Sequence, residues 1–183
     1  MTVVKYAMPS INLFGRGSVQ EVGKQLLDVG AKKALLVTDE GLYNLGLADE
    51  IATIARDAGV DVEIYPKAEP NPTDENVADG IEAYKEANCD SIISLGGGSS
   101  HDAAKAIGLV VTNGGKIHDY EGVDKSKEPM PPLVSINTTA GTARAMKQFT
   151  IITEVERYVK MDIVDKHVTP LVTINDPELM VGI

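Results

Sequence analysis

The sequence predicts an α/β fold, an open and mostly parallel sheet with helices on both faces. Short apolar or β-branched runs alternate along the chain with segments whose apolar residues recur at helical spacing. The run at 91–95, Ser-Ile-Ile-Ser-Leu, lacks the strict polar alternation of a half-exposed strand. Such a run is typical of a parallel strand that is buried on both faces. Together these patterns favour a doubly wound, Rossmann-like sheet.

The first half of the chain contains four predicted strands, two of them in a hairpin, and two predicted helices. Residues 3–15 alternate imperfectly and are interpreted as an N-terminal β-hairpin. Apolar residues recur at helical spacing within 47–57, and Ala58 and Gly59 end that helix. Thr73 is placed to cap the next helix, which runs to about Ala87. The strands of this half are predicted at 33–38 and 60–65, in addition to those of the hairpin.

The second half continues the same alternation. After the strand at 91–95, a helix is predicted from about Ser99 to Val110, followed by a buried strand at 133–137. Three further extended segments are predicted at 149–154, 158–165 and 170–176. Asp176 and Pro177 are typical of a helix start, yet few residues follow them. We therefore expect residues 1–183 to form one domain of a truncated chain.

The composition excludes several classes of protein. With 43% hydrophobic and 24% charged residues, the chain is expected to be globular and not disordered. The net charge of −10 would repel a phosphate backbone, so no nucleic-acid partner is expected. No apolar run approaches the ~20 residues of a membrane span, and the N-terminus lacks a signal-peptide pattern. The lone Cys89 excludes an internal disulfide and fits a reducing cytoplasm.

The strongest local motif is Gly-Gly-Gly-Ser at 96–99, directly after a predicted buried strand. Glycines at a strand-to-helix turn let backbone N–H groups approach an anion, and the helix N-terminus adds a positive dipole end. The motif departs from the G-x-G-x-x-G pattern because His101 stands where that pattern has glycine. The alternative interpretation is a tight turn with a capped helix and no ligand.

Polar residues follow two other predicted strands. Thr138, Thr139 and Thr142 follow the strand at 133–137, and Asp39 follows the strand at 33–38. Because parallel strands present their carboxyl ends at one edge, these side chains are candidates for ligand binding there. Asp39 could accept a hydrogen bond from a ribose hydroxyl and repel a 2′-phosphate. Ordinary helix capping and an ordinary turn residue are the alternatives.

The histidines do not indicate a catalytic or metal site. His101, His118 and His167 are far apart in sequence and lack the spacing of metal ligands. No Ser-His-Asp order or pair of carboxylates is evident. We therefore predict no catalytic residues and no metal ligands within the 183 residues.

Longer motifs resemble one known family. They read Gly-Gly-Gly-Ser-Ser-His-Asp-Ala-Ala-Lys at 96–105, Ile-Asn-Thr-Thr-Ala-Gly-Thr at 136–142 and Asn-Asp-Pro-Glu-Leu at 175–179. In this order they resemble the iron-containing (group III) alcohol dehydrogenases. Within that family the chain is most similar to the branch of bacterial methanol, 1,3-propanediol and lactaldehyde dehydrogenases, from Pro9 to Met180.

The resemblance implies the N-terminal, NAD(P)-binding domain of a two-domain protein. In the family, iron is bound by one Asp and three His of a C-terminal helical domain, and these ligands would lie after residue 183. The implied cofactor is NAD, favoured over NADP by Asp39, and the implied dimer contact is residues 1–15. The residues implied to bind the cofactor are Asp39, Asn71, Gly97, Gly98, Ser99, Asp102, Thr138, Thr139, Thr142, Lys160 and Leu179.

One stretch departs from the family pattern. At 141–147 the family typically reads Gly-Thr-x-Ser-Glu-x-Thr, whereas this chain has Arg144, Ala145 and Lys147 at the Ser, Glu and second Thr positions. A hypothesis is that the domain was excised and engineered to cover a face left by a missing domain. Burial of these side chains would count against that hypothesis.

Three functions are compatible with the sequence. The first is an NAD(H)-binding domain of an alcohol dehydrogenase that does not oxidise alcohols by itself, because the metal ligands are absent. The second is one half of an enzyme that a separate metal-binding chain completes. The third is an engineered scaffold that keeps the fold but has lost cofactor affinity through Arg144 and Lys147.

Overall fold

The computed structural model describes residues 8–141 and 143–181. The strands in these residues are β1 (Ile11–Phe14), β2 (Lys33–Val37), β3 (Asp61–Tyr65), β4 (Ser91–Gly96), β5 (Gly122–Val123), β6 (Leu133–Asn137), β7 (Phe149–Glu154), β8 (Val159–Val164) and β9 (Val172–Asn175). The α-helices are α1 (Val22–Asp28), α2 (Glu40–Asn44), α3 (Leu47–Asp57), α4 (Asp74–Glu86) and α5 (Gly98–Asn113). Short 3-10 turns lie at Ser18–Glu21, Ile117–Tyr120, Arg144–Met146 and Pro177–Met180.

Six strands form one parallel sheet in the order β1-β9-β6-β4-β2-β3. The predicted α/β class with a mostly parallel sheet is therefore confirmed. The strand order departs from the sequence order on both sides of β4, as in doubly wound sheets. Because all six strands run in one direction, the residues that follow them meet at one edge.

Apolar clusters cover both faces of this sheet. Adjacent residues of a strand point to opposite faces, so Leu35 belongs to one cluster and Leu36 to the other. Helices α4 and α5 pack on the first face, and α1 and α3 pack on the second. Burial of both faces explains why β2, β4 and β6 are continuous apolar runs.

A smaller sheet lies beyond α5. Strands β7 and β8 form an antiparallel pair, and β5 pairs in parallel with β8. Ile152, Met161 and Ile163 of this sheet join the same cluster as the apolar residues of α5. Helix α5 is thus packed between two sheets, which explains why most of its residues are buried.

The N-terminal strand joins the main sheet. β1 runs parallel to β9, with Ile11 opposite Val172. The predicted hairpin at 3–15 extends over residues 1–7, which lie outside the described residues. Within the described residues, β1 pairs with β9 of the parallel sheet. The predicted hairpin therefore stays a prediction for its first strand, and its second strand is an element of the sheet.

Local signals set most helix boundaries. The hydroxyl of Thr73 accepts a hydrogen bond from the Asn76 N–H at 3.1 Å, which confirms the predicted cap of α4. Gly59 adopts a φ of +100° and ends α3 as predicted. The helix start predicted at Asp176 and Pro177 is a single 3-10 turn. No described helix has the length and hydropathy needed to cross a bilayer.

Candidate functional site

The glycine turn between β4 and α5 lies at the carboxyl edge of the sheet. Gly96 adopts a φ of +142°, and a Cβ added to it would lie 2.5 Å from the Ser100 Oγ atom. A Cβ added to Gly97 would lie 3.3 Å from the Thr139 Oγ1 atom. Helix α5 starts at Gly98 and has no side-chain cap, so the amides of its first turn remain for a ligand. This geometry is that of an anion-binding turn.

A large cavity of about 930 Å³ opens on one side of this turn. It is lined by residues 39–45, 66–70, 97–100 and 138–139, together with two residues of α4. These segments follow four strands of the main sheet, at the edge where doubly wound folds bind ligands. The cavity is large enough for a nucleoside, because ligand pockets commonly measure ~300–1,000 Å³.

Asp39 has two roles at the rim of the large cavity. It is the N-cap of α2, and its Oδ1 atom accepts a hydrogen bond from the Leu42 N–H at 2.9 Å. It also lines the cavity, so its charge faces the ligand space. The two interpretations of Asp39 from the sequence, a turn residue and a ligand group, are therefore compatible with each other.

A smaller cavity of about 260 Å³ lies on the other side of the glycine turn. Both cavities are lined by Gly98, Ser99 and Thr139, so they adjoin each other at the start of α5. Lys160 lines the smaller cavity, and its Nζ atom donates to the Asn71 Oδ1 atom at 3.3 Å. The Asn71 N–H in turn donates to the Ser99 Oγ atom at 3.4 Å.

Asp102 and Arg144 form an ion pair in the wall of the smaller cavity. The Arg144 guanidinium also lies 4.7 Å from the centroid of the Phe149 ring, a cation–π arrangement. The other carboxylate oxygen of Asp102, Oδ1, is buried without a partner among the described residues. Burial raises the pKa of Asp102 above its usual range, and the Arg144 cation opposes that rise.

Lys105 is buried one helical turn after Asp102. Its ammonium donates to the carbonyl oxygens of Lys147 at 2.7 Å and Phe149 at 3.3 Å, and also to that of Arg144. Burial lowers the pKa of Lys105, while the Asp102 carboxylate acts to raise it. Lys105 thus fixes the backbone of the 144–149 segment beside the cavity. No motif in the sequence predicts this contact, although a lysine among the alanines of a buried helix is a signal.

His101 is buried beneath the glycine turn. Its Nε2 atom donates to the Asn137 Oδ1 atom at 2.8 Å, which leaves Nδ1 to accept from the Ser94 hydroxyl at 2.7 Å. Asn137 continues the network to Asn175, 2.6 Å away. Burial lowers the pKa of His101 to about 4, so the imidazole is neutral at pH 7. His101 therefore ties α5 to three strands and is not free to act as an acid or base.

The cavities bring together most of the residues implied to bind the cofactor. The large cavity is lined by Asp39, Gly97 and Thr138, and the smaller one by Asn71, Asp102 and Lys160. Gly98, Ser99 and Thr139 line both cavities. Leu179 instead packs against the apolar cluster around α1 and α3 and lines neither cavity. Thr142 lies outside the described residues. Residues 40–45 and 66–70, which also line the large cavity, were not predicted from the sequence. Their only signal in the sequence is that each segment follows a predicted strand.

The substituted segment at 144–147 is buried in part. Ala145 is fully buried, and 19% of the Arg144 side chain is exposed, whereas Lys147 is exposed. The burial of Ala145 and of most of the Arg144 side chain counts against the hypothesis that the segment was engineered to cover an open face, whereas the exposure of Lys147 does not.

The other histidines pair with acids. His118 Nε2 lies 3.1 Å from the Asp74 Oδ2 atom. His167 lies beside Ser126, whose hydroxyl donates to the Asp165 carboxylate. Among residues 8–141 and 143–181, no three His, Cys, Asp or Glu side chains are grouped so that they could hold a metal ion.

Comparison with known proteins identifies relatives over the whole chain. A family profile described as iron-containing alcohol dehydrogenase matches residues 9–177. Alcohol dehydrogenase 4 of Schizosaccharomyces pombe is 51% identical over 183 residues, which are 100% of this chain and 43% of that protein. NAD-dependent methanol dehydrogenase of Bacillus methanolicus is 50% identical over 179 residues, covering 98% of this chain and 47% of that protein.

A solved structure also matches the whole chain. A crystal structure of 1,3-propanediol oxidoreductase superposes with a TM-score of 0.97 at 42% identity and covers 100% of this chain. The matched region is 48% of that protein. The chain therefore spans less than half the length of these relatives.

Proposed function

Because this chain belongs to the family of iron-containing alcohol dehydrogenases, we propose that it binds NAD(H). The adenosine half lies in the large cavity beside Asp39, and the pyrophosphate lies against residues 97–99. The nicotinamide half then extends into the smaller cavity, towards Asp102 and Lys160. The glycine turn carries this proposal, because it presents uncapped helix amides between the two cavities.

The residues of the site suit this cofactor. A side chain at Gly97 would crowd Thr139, so the glycine keeps open the space in which a pyrophosphate would approach the backbone. The buried Oδ1 atom of Asp102, without a partner among the described residues, can accept from a ribose hydroxyl. Lys160 and Asn71 offer further hydrogen-bonding groups on the same wall.

Asp39 supports NAD over NADP. Its carboxylate can accept a hydrogen bond from the adenine-side ribose, and it would repel a 2′-phosphate at the same place. Asp39→Asn retains an oxygen for the cap of α2 but removes the charge. We expect Asp39→Asn to raise the affinity for NADPH relative to NADH. The exposed Asp57 of α3 provides the matched control, Asp57→Asn.

We further propose that this chain belongs to an enzyme that oxidises a primary alcohol or diol. These 183 residues do not catalyse that reaction alone. Bound nicotinamide supplies the hydride acceptor. The residues of this chain bind and orient it, while the family's iron ligands are expected beyond residue 183. Assays with added iron, with and without a separately produced metal-binding half, distinguish a binding domain from a complementing half-enzyme.

A scaffold without cofactor affinity is the second candidate. The Asp102–Arg144 pair favours it, because Arg144 occupies one oxygen of a carboxylate that could otherwise accept a hydrogen bond from the cofactor. The two candidates are separated by calorimetric titration of the chain with NADH. Saturable binding that is lost in Gly98→Val, with unchanged thermal unfolding, supports the binding domain. No binding at about 5 mM NADH supports the scaffold.

Three broader properties belong to the same proposal. Residues 1–183 unfold as one domain, which a single transition in calorimetry and circular dichroism would support. A homodimer forms through residues 1–15, where Ile11 and Phe14 of β1 are exposed, and sedimentation at several concentrations tests it. The expected compartment is the cytoplasm, which localisation of a tagged chain in its source cells would test.

A further inference from the structure

The smaller cavity is lined by more positively than negatively charged side chains. Its charged lining residues, within the described part of the chain, are the cations Arg144 and Lys160 and the anion Asp102. The N-terminus of the 16-residue helix α5 adds partial positive charge at Gly98 and Ser99. The cavity is therefore electropositive even with Asp102 ionised.

Arg144 is held rigidly in the cavity wall. It pairs with Asp102, lies 4.7 Å from the Phe149 ring, and is anchored through its own carbonyl by Lys105. Only 19% of its side chain is exposed, so solvent and salt screen its charge less than they screen a surface arginine. Lys147, three residues later, is exposed and lines neither cavity.

The two redox forms of the cofactor differ in one charge at the end that enters this cavity. The nicotinamide ring of NAD⁺ carries a positive charge, and the ring of NADH is neutral. The adenosine and pyrophosphate are the same in both forms. Any electrostatic discrimination therefore arises where the ring lies.

We propose that Arg144 makes this chain select NADH over NAD⁺. The inference rests on the proposed function and extends it to the redox state of the cofactor. The excess positive charge in the smaller cavity repels the oxidised ring and leaves the reduced ring unaffected. One unit charge about 10 Å away, at an effective dielectric constant of ~20, changes an affinity about tenfold.

The test compares dissociation constants of NADH, NAD⁺ and ADP-ribose by calorimetry. Titrations are run at about pH 8.5, so that the buried Asp102 stays ionised. The variants are Arg144→Met, which removes the charge, Arg144→Lys, which keeps it, and Lys147→Met as the matched control. Thermal unfolding of each variant confirms that it is folded.

We expect NADH to bind the parent chain about tenfold more tightly than NAD⁺. Arg144→Met brings the two affinities to within about threefold, whereas Arg144→Lys and Lys147→Met keep the difference. A tenfold preference also raises the two-electron potential of the bound couple by about 30 mV.

Equal binding of NADH and NAD⁺, or an unchanged ratio in Arg144→Met, would overturn the inference. So would ADP-ribose binding as weakly as NAD⁺, because the preference for NADH would then arise from contacts of the reduced ring and not from repulsion of the oxidised ring. In each of these cases nucleotide binding itself persists. Failure of all three ligands to bind would instead reject the proposed function.

Discussion

The ammonium of Lys105 donates to the carbonyl oxygen of Lys147 at 2.7 Å, inside the protein. The same ammonium also contacts the carbonyls of Arg144 and Phe149. A single side chain of α5 therefore holds a backbone segment that has little regular structure of its own. The buried charge is tolerated because three carbonyl dipoles replace its hydration.

Lys105→Met is expected to destabilise the protein by about 2–4 kcal/mol, because it leaves buried carbonyl oxygens without a donor. Urea unfolding followed by circular dichroism measures the loss. Lys24→Met, at an exposed position of α1, serves as the control and should stay within about 0.5 kcal/mol. A loss below 1 kcal/mol in Lys105→Met would show that the carbonyls find other partners.

The stability of the protein should fall between neutral and mildly acidic pH because of His101. Burial lowers the pKa of His101 to about 4, whereas an unfolded histidine titrates near 6.5. Between these values the unfolded state binds a proton that the native state does not, so stability is lost as pH falls through this window. The expected loss is about 3 kcal/mol between pH 7 and 4.

The contribution of His101 is isolated by substitution. His101→Gln, which cannot titrate, should show a shallower fall in the free energy of unfolding over the same range. His118→Gln, a matched control at a half-buried position, should retain the steep fall because it leaves His101 in place. Identical slopes in the parent and His101→Gln would contradict the assignment.

The clamp between Ser126 and Asp165 is expected to stabilise the loop before β6. The Ser126 hydroxyl donates to Asp165 Oδ1 at 2.7 Å, and its backbone N–H donates to Oδ2 at 2.9 Å. Burial alone would raise the pKa of Asp165, but these bonds and the His167 N–H lower it below the usual range. The stability it adds is present above about pH 4 and lost as pH falls through the lowered pKa.

Ser126→Ala should cost about 1–2 kcal/mol at pH 7, measured by chemical unfolding. The difference from the parent should shrink in strongly acidic solution, where Asp165 is protonated in both proteins. A difference that is constant down to pH 2 would mean that the hydrogen bond from Ser126 to the ionised Asp165 carboxylate does not account for the lost stability.

Tyr158 lies in the turn between β7 and β8 with a φ of +54° and 87% of its surface exposed. A left-handed conformation is unfavourable for tyrosine and tolerated by asparagine. Tyr158→Asn should therefore raise the free energy of unfolding by about 0.5–1 kcal/mol, since little packing is lost. Tyr158→Phe keeps the unfavourable backbone and should leave stability unchanged. A stabilising Tyr158→Phe would point to the hydroxyl and not to the backbone.

Sequence patterns predicted the elements whose signals are local. Strands β2, β4 and β6 agree with the predicted bounds to within one residue, because each is a short apolar run closed by turn residues. Helix α3 matches its predicted range because of its amphipathic spacing. The patterns do not predict α2, whose five residues are too few for a periodic signal.

Contacts between distant segments could not be predicted. The pairing of β1 with β9 joins residues more than 150 positions apart, and alternation within 3–15 suggested only a local hairpin. The Asp102–Arg144 pair is likewise set by the packing of the 144–149 segment on α5. The glycine turn was predicted because its composition indicates the turn, whereas the charge of the smaller cavity depends on which side chains the fold brings together.

The pairing of β1 with β9 also has a consequence for biosynthesis. Strand β1 leaves the ribosome well before β9, because Val172, the partner of Ile11, is translated about 160 residues after it. Until then the exposed Ile11 and Phe14 have no β9 beside them. At ~5–20 residues per second, this interval is about ten to thirty seconds, during which chaperones can bind the nascent strand.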